Sequence, residues 1–284
     1  MEFPKMFAVI ALLFSVSLMA SAPSHAQSCE PQKVATKYPG YAGKVVNVAA
    51  TPMYPPFTFT DPANPDRLSG LEVEIVEAAL TCAGLKFKYV LGPWTGILPT
   101  IFSGSTDVAV GNVNYRADRA EKVDFILFMR NGQSVVTPKG NAKAVKTAAD
   151  LCGKSTTASM GGSSALEIDR QSKACVAEGK KAIEFQNAVD QEAAYRQLVN
   201  GRVDFVMDGA TSAATRVAKT PELELAYTLT TDITAGPVVR KGNEEMLKIV
   251  FDGMKALEAR GGLKALMAKY GLHESLLIPV VVRK

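Results

Sequence analysis

Apolar and polar positions along the chain alternate between two periods. VVNVAAT (45–51) is a near-continuous apolar run that stops at the turn PMYPPF (52–57), as a buried strand does. A loop follows, with prolines at Pro62 and Pro65. LEVEIVEAALTCAGL (71–85) then places Leu71, Ile75, Ala78, Ala79 and Cys82 on one helical face, and Gly84 closes that helix. FKYVLG (87–92) returns as a strand, WTGILPTIFSGS (94–105) as a short helix, and DVAVGN (107–112) as another strand. Strands alternating with helices of this length predict βαβ units and a parallel sheet, the α/β class.

A second cycle begins near Leu151. CGKSTTASMGGSSALEIDRQ (152–171) reads as strand, glycine turn and helix; AIEFQ (182–186) as strand; DQEAAYRQLVNGR (190–202) as helix; VDFVMD (203–208) as strand. Both cycles run strand–helix–strand–helix–strand, which predicts two similar lobes. The tail, 244–272, is strongly helical and broken at Gly261-Gly262.

Composition narrows the class. The 284 residues are 47% hydrophobic and 21% charged, enough for a sizeable core in one or two domains. The net charge of +4 is spread along the chain, which argues against a nucleic-acid partner. At the start, Lys5 precedes the apolar run 6–20, and small residues lead to Ala26. This is the layout of a secretory signal peptide over residues 1–26, cleaved near Ala26, and the run falls short of the roughly 18–20 apolar residues of a membrane span. A lipid anchor at Cys29 is the weaker alternative. In an oxidising compartment the four cysteines suggest two disulfides. Cys152 and Cys175 can pair within the second cycle, leaving Cys29 and Cys82 in the first; this is one of three connectivities. His25 leaves with the leader, so a Cys/His metal site would rest on His273 alone, and no metal or cofactor is expected.

Seven stretches, TPMYPPF, GLEVEIVEAAL, WTGILPTIFSGSTDVAV, NVNYRADRAEKVDF, ADLCGKSTTASMGGSSALE, NGRVDFVMDGATSAA and GPVVRKGNEEM, occur in the order and spacing of one family. Over residues 45–271 the chain resembles the extracytoplasmic solute-binding proteins of family 3, which serve amino-acid ABC importers. The resemblance implies a two-lobed periplasmic binding protein fold of type II, with two hinge crossovers near 128–136 and 228–237 and a ligand cleft between the lobes. Lobe 1 would be discontinuous, 27–131 and 235–284, with lobe 2 spanning 132–234.

It also implies a ligand set. Arg119 would grip the ligand α-carboxylate, since a guanidinium makes two parallel charge-assisted bonds that a lysine cannot. The backbone amides of Gly162 and Ser163, at a helix start, would share that carboxylate. Asp208 would hold the α-ammonium, with the Asn112 carbonyl and Asn114 side chain completing the polar ring. The family commonly has glycine or serine at 112 and threonine at 114, so the larger Asn amides intrude into the cleft. Tyr54 and Trp94, the only tryptophan, would sandwich the ligand side chain. Thr51 stands where members with basic ligands carry an acid, and Ser159 is neutral too; a neutral or polar amino acid is therefore expected, unless Glu72 or Glu74 reaches the pocket.

The function implied is a monomeric periplasmic protein that captures a small amino acid-like zwitterion and delivers it to an inner-membrane ABC permease, without catalysis. Two alternatives share the scaffold: a cyclohexadienyl dehydratase-like enzyme, and a ligand-sensing module for a signalling receptor.

Overall fold

A computed structural model describes Met1 and residues 29–284; the leader and cleavage site expected within 1–26 lie, Met1 aside, outside the described residues. The strand–helix alternation builds one mixed sheet in two halves. In the first, Val45–Ala50 pairs in parallel with Lys86–Leu91 and Val108–Ala109. In the second, Ser155–Ser159 pairs in parallel with Glu184–Ala188 and Phe205–Gly209. One strand, Val123–Pro138, belongs to both. Its start pairs with Val238–Arg240 and its end with Phe205–Gly209. The strand Leu223–Ala235 runs back beside it, antiparallel. These two long strands are the crossovers between the halves. Their register breaks between Leu229 and Ile233, opposite the step from Gln133 to Asn131, so the ladder is interrupted where the chain passes between the halves.

Each half has apolar side chains on both faces of its sheet, because a strand covered by helices on either side sends alternate residues to each. Val135 joins the cluster with Leu151, Ile168 and Phe205, whereas Val136 joins Leu198, Val206 and Leu223 on the opposite face. The first half buries Val48, Leu71, Ile75, Leu80, Ile249 and Met254 on one side and Ile97, Ile101, Phe125 and Val238 on the other. Complete burial of each such side chain contributes about 1.5–3 kcal/mol. The helix Leu71–Cys82 buries Leu71, Ile75, Ala79 and Cys82 of its expected face, leaves Ala78 half-buried, and also buries Val73, Val76, Leu80 and Glu72. It starts at Gly70, where φ is +137° and a Cβ would stand 2.1 Å from the Phe57 carbonyl oxygen, so only glycine lets the chain pass.

The sequence-based outline needs three corrections. The loop after residue 57 holds two strands, Thr58–Asp61 and Asn64–Ser69, which form a three-stranded antiparallel sheet with Met53–Tyr54 from the preceding turn. The strand expected over 107–112 is confined to Val108–Ala109, since Gly111 and Asn112 have positive φ. The C-terminal Leu277–Arg283, not assigned from the pattern, is a strand along the first crossover. The tail helices Glu244–Ala259 and Gly262–Lys269 break at Gly261 as expected. Both disulfides, Cys29–Cys82 and Cys152–Cys175, match the expected pairing, each within one half. Among the described residues no helix is long and apolar enough to cross a membrane.

Candidate ligand-binding cleft

Loops at the C-terminal ends of the parallel strands meet between the two halves, around a cleft of about 630 Å³ of empty space including its mouth. All ten residues singled out in the sequence line it. Thr51 follows the strand Val45–Ala50; Trp94 opens the helix Trp94–Ser103; Asn112 and Asn114 follow Val108–Ala109; Ser159 ends Ser155–Ser159; Asp208 lies in Phe205–Gly209. Strand ends of both halves thus supply the polar groups, as open α/β sheets do where their strand order switches.

Arg119 sits in the short helix Ala117–Ala120 and is only 5% exposed. Its Nη1 donates to the Asn114 carbonyl at 3.0 Å and its Nη2 to the Gly161 carbonyl, across the cleft, at 2.9 Å. The guanidinium carbon lies 5.6 Å from the Trp94 ring centroid. Burial, reinforced by the Arg116 charge, lowers its pKa to about 10, so it is still a cation at neutral pH. Among the described residues no carboxylate lies within ion-pairing distance of it. Asp118, its sequence neighbour, is engaged instead by Arg116 at the surface. A buried guanidinium with donors to spare and no counter-charge is a receptor for an anion.

Asp208 is 3% exposed, and its acceptors are filled by neutral donors: the Gly209 amide at 2.8 Å, the Tyr195 hydroxyl at 3.2 Å and, from the opposite half, the Tyr54 hydroxyl at 3.5 Å. Burial lifts its pKa to about 6, although Arg216 and these donors pull the other way. Arg216 covers the Tyr195 ring at 4.3 Å and is itself paired to Glu192 at 2.8 Å. Burial, then the charge of Asp208, pushes the Tyr54 and Tyr195 phenols up, which keeps both as donors. A Cβ at Gly209 would meet the Tyr54 hydroxyl at 2.9 Å, so a larger residue there would displace that donor.

The expected sharing of a carboxylate by the Gly162 and Ser163 amides needs correction. Gly162 N–H already donates to the Ser159 carbonyl at 3.1 Å, closing a turn, which leaves Ser163 at the first position of the helix Ser163–Ala177. The Asn114 side chain is also partly engaged, accepting from Asn131 Nδ2 at 3.0 Å. Neither glutamate reaches the cleft. Glu74 binds Lys269 and Tyr270 at the surface, and Glu72 lies beneath the floor with Oε2 accepting from the Gly111 and Asn112 amides at 2.6 and 2.8 Å.

The sequence reading missed several lining residues. Gln133, on the first crossover, accepts from Ser164 Oγ at 2.6 Å; its signal was a polar break in the apolar run of 123–138. Asp190 lines the far wall, where it caps the helix Gln191–Val199 by accepting from the Ala193 amide at 2.6 Å. Tyr195, which supports Asp208 from behind the lining, gave no signal, because only the fold turns that helix face toward Asp208.

A cleft between two α/β halves, crossed by two strands and holding one unpaired cation and one buried acid, defines a two-lobed binding protein of type II. A sequence profile of the bacterial extracellular solute-binding proteins, family 3, matches residues 46–273, and the chain belongs to that family. It is 29% identical over 219 residues to the L-cystine-binding protein TcyJ of Escherichia coli K12, covering 76% of this chain and 79% of that protein. A probable histidine-binding protein of Neisseria gonorrhoeae is 25% identical over 237 residues, covering 82% and 85%. Among solved structures, an ancestral arginine-binding protein bound to arginine superposes with a TM-score of 0.73 at 24% identity, over 80% of this chain and 97% of that one. The ancestral amino acid-binding protein AncCDT-1, a precursor of cyclohexadienyl dehydratase, superposes at 0.69 with 23% identity, over 80% and 95%.

Proposed function

We propose that the mature protein is a periplasmic monomer that captures one α-amino acid in the cleft and presents it to an inner-membrane ABC permease. One observation supports this above others: an unpaired buried guanidinium, Arg119, and a buried carboxylate, Asp208, line the same cavity from opposite halves. Those are complementary to the two charges of a zwitterion. Arg119, Thr51, Tyr54, Trp94, Asn112 and Asn114 belong to the proposed lobe 1 (27–131 and 235–284), and Ser159, Gly162, Ser163 and Asp208 to lobe 2 (132–234). A ligand bridging them favours closure, because only the closed form makes both sets of contacts. The bonds from Arg119 to Gly161 and from Tyr54 to Asp208 are of that closed kind.

Relatives bind cystine, histidine or arginine by name, so the side chain must be read from this cleft. A thermal-shift screen of the secreted protein against the twenty amino acids and cystine tests the proposal. Stabilisation by at least one amino acid, but not by its N-acetylated form, is expected; a flat response to all of them refutes it. One observation favours a second reading, an elimination enzyme. With a pKa of about 6, Asp208 could serve as a general acid. Consumption of prephenate or arogenate, followed by absorbance, would establish that reading in place of the first.

A further inference from the structure

Among the described residues, three buried polar atoms in the cleft have no hydrogen-bond partner: Nδ2 and Oδ1 of Asn112 and Oγ of Ser159. The two residues are 4% and 8% exposed. The Asn112 amide lies beside the Tyr54 hydroxyl but makes no well-formed bond with it. Leaving one such atom unpaired costs about 1–3 kcal/mol, so the contents of the cleft must supply what the protein does not.

The placement of Asn112 is enforced. Its φ is +55° and that of Gly111 is +136°. A residue with a Cβ enters the left-handed region at a cost of about 1–2 kcal/mol, which asparagine tolerates better than most. Glu72, fully buried, holds both amides on one carboxylate oxygen and so fixes the turn from below. Asp190 spends one carboxylate oxygen, Oδ1, on its own helix start. Once Arg119 and Asp208 are occupied, Asp190 on the far wall is the one charged group left in the lining, and Thr51, Asn112, Gln133 and Ser159 are neutral.

An anionic ligand side chain would lose its hydration there without a counter-charge, and a cationic one, having donors only, would leave the Asn112 Nδ2 unmet. An aliphatic one would leave both atoms of the Asn112 amide stranded. A primary carboxamide has one acceptor and one donor group, and matches that amide two for two. We infer that Asn112 is the specificity-determining residue of this cleft and selects an amino acid whose side chain ends in a neutral donor–acceptor group of the carboxamide kind. This rests on the reading of Arg119 and Asp208 as holders of the zwitterion.

Calorimetry on the secreted protein with near-isosteric ligands tests it: asparagine against aspartate and leucine, glutamine against glutamate and methionine, and lysine. One carboxamide should bind about 10- to 100-fold more tightly than its apolar and charged counterparts. Asn112→Gly, which keeps the positive φ, should shrink that preference to within about threefold. Asn112→Asp should shift the ranking toward lysine. If the parent binds methionine or glutamate as well as glutamine, the inference is overturned. It is equally overturned if Asn112→Gly keeps the parent ranking, because water rather than the ligand then satisfies Asn112. No heat from any amino acid would bring down the zwitterion reading and this inference with it, whereas binding indifferent to position 112 sinks the inference alone.

Discussion

Arg119→Met separates the proposed binding role of this residue from a structural one. Methionine keeps an unbranched stem of similar reach and removes only the charge and its donors. In the unligated protein two effects oppose each other. The drop in the Arg119 pKa from 12.5 to about 10 means that burial works against the cation by about 3 kcal/mol, which the substitution relieves. Against that stand the two bonds to the Asn114 and Gly161 carbonyls, worth about 1.5 kcal/mol each as charge-assisted bonds. The two nearly cancel, so unligated stability should change by no more than about 1–2 kcal/mol. With ligand there is no cancellation, because the α-carboxylate would be buried without its partner, at a cost of about 3–5 kcal/mol. Affinity should therefore fall a few hundred- to a few thousand-fold. Urea unfolding without ligand and titration calorimetry with the amino acid found in the screen read the two numbers separately. A variant that unfolds several kcal/mol more easily would show Arg119 to be structural. Undiminished affinity would show that the carboxylate sits elsewhere.

Acidity should act oppositely on folding and on binding. Asp208 and Glu72 have folded pKa values raised by burial, from 3.8 to about 6 and from 4.5 to about 7. The folded state therefore binds more protons than the unfolded one between about pH 4 and 7, so unligated stability should rise as the pH is lowered through that window. Affinity should fall about tenfold at pH 5, because the ligand ammonium needs the Asp208 carboxylate; melting curves and calorimetry at pH 5 and 7.5 that both stay flat would contradict this. Gly209→Ala should weaken binding by about tenfold or more, since the added methyl pushes the Tyr54 hydroxyl away from Asp208, and calorimetry would detect it. Replacing Cys152 and Cys175 by serine opens a crosslink of sequence separation 23 and should cost about 3 kcal/mol on unfolding. Affinity should nevertheless stay within about threefold, because the bond lies away from the cleft lining.

Periodicity in the chain determined the α/β class, the two cycles, the buried face of Leu71–Cys82 and the break at Gly261. Each of these follows from local spacing, so each can be read before the chain is folded. The motif order likewise singled out ten residues that the structure brings around one cleft. What it could not show was which of them are free to act. Gly162 has the right position, yet its amide closes a turn on Ser159; Asn114 spends its carbonyl on Arg119 and its side-chain oxygen on Asn131. Only tertiary structure set Tyr195 and Tyr54 against Asp208, put Gln133 on the cleft wall, and seated Glu72 under the Gly111–Asn112 turn. The physical reason is that a hydrogen bond is allotted by distance and direction. Residue type announces the capacity to make one, whereas the packing of two halves decides which capacities are already used and which are left, buried and unpaired, for a ligand.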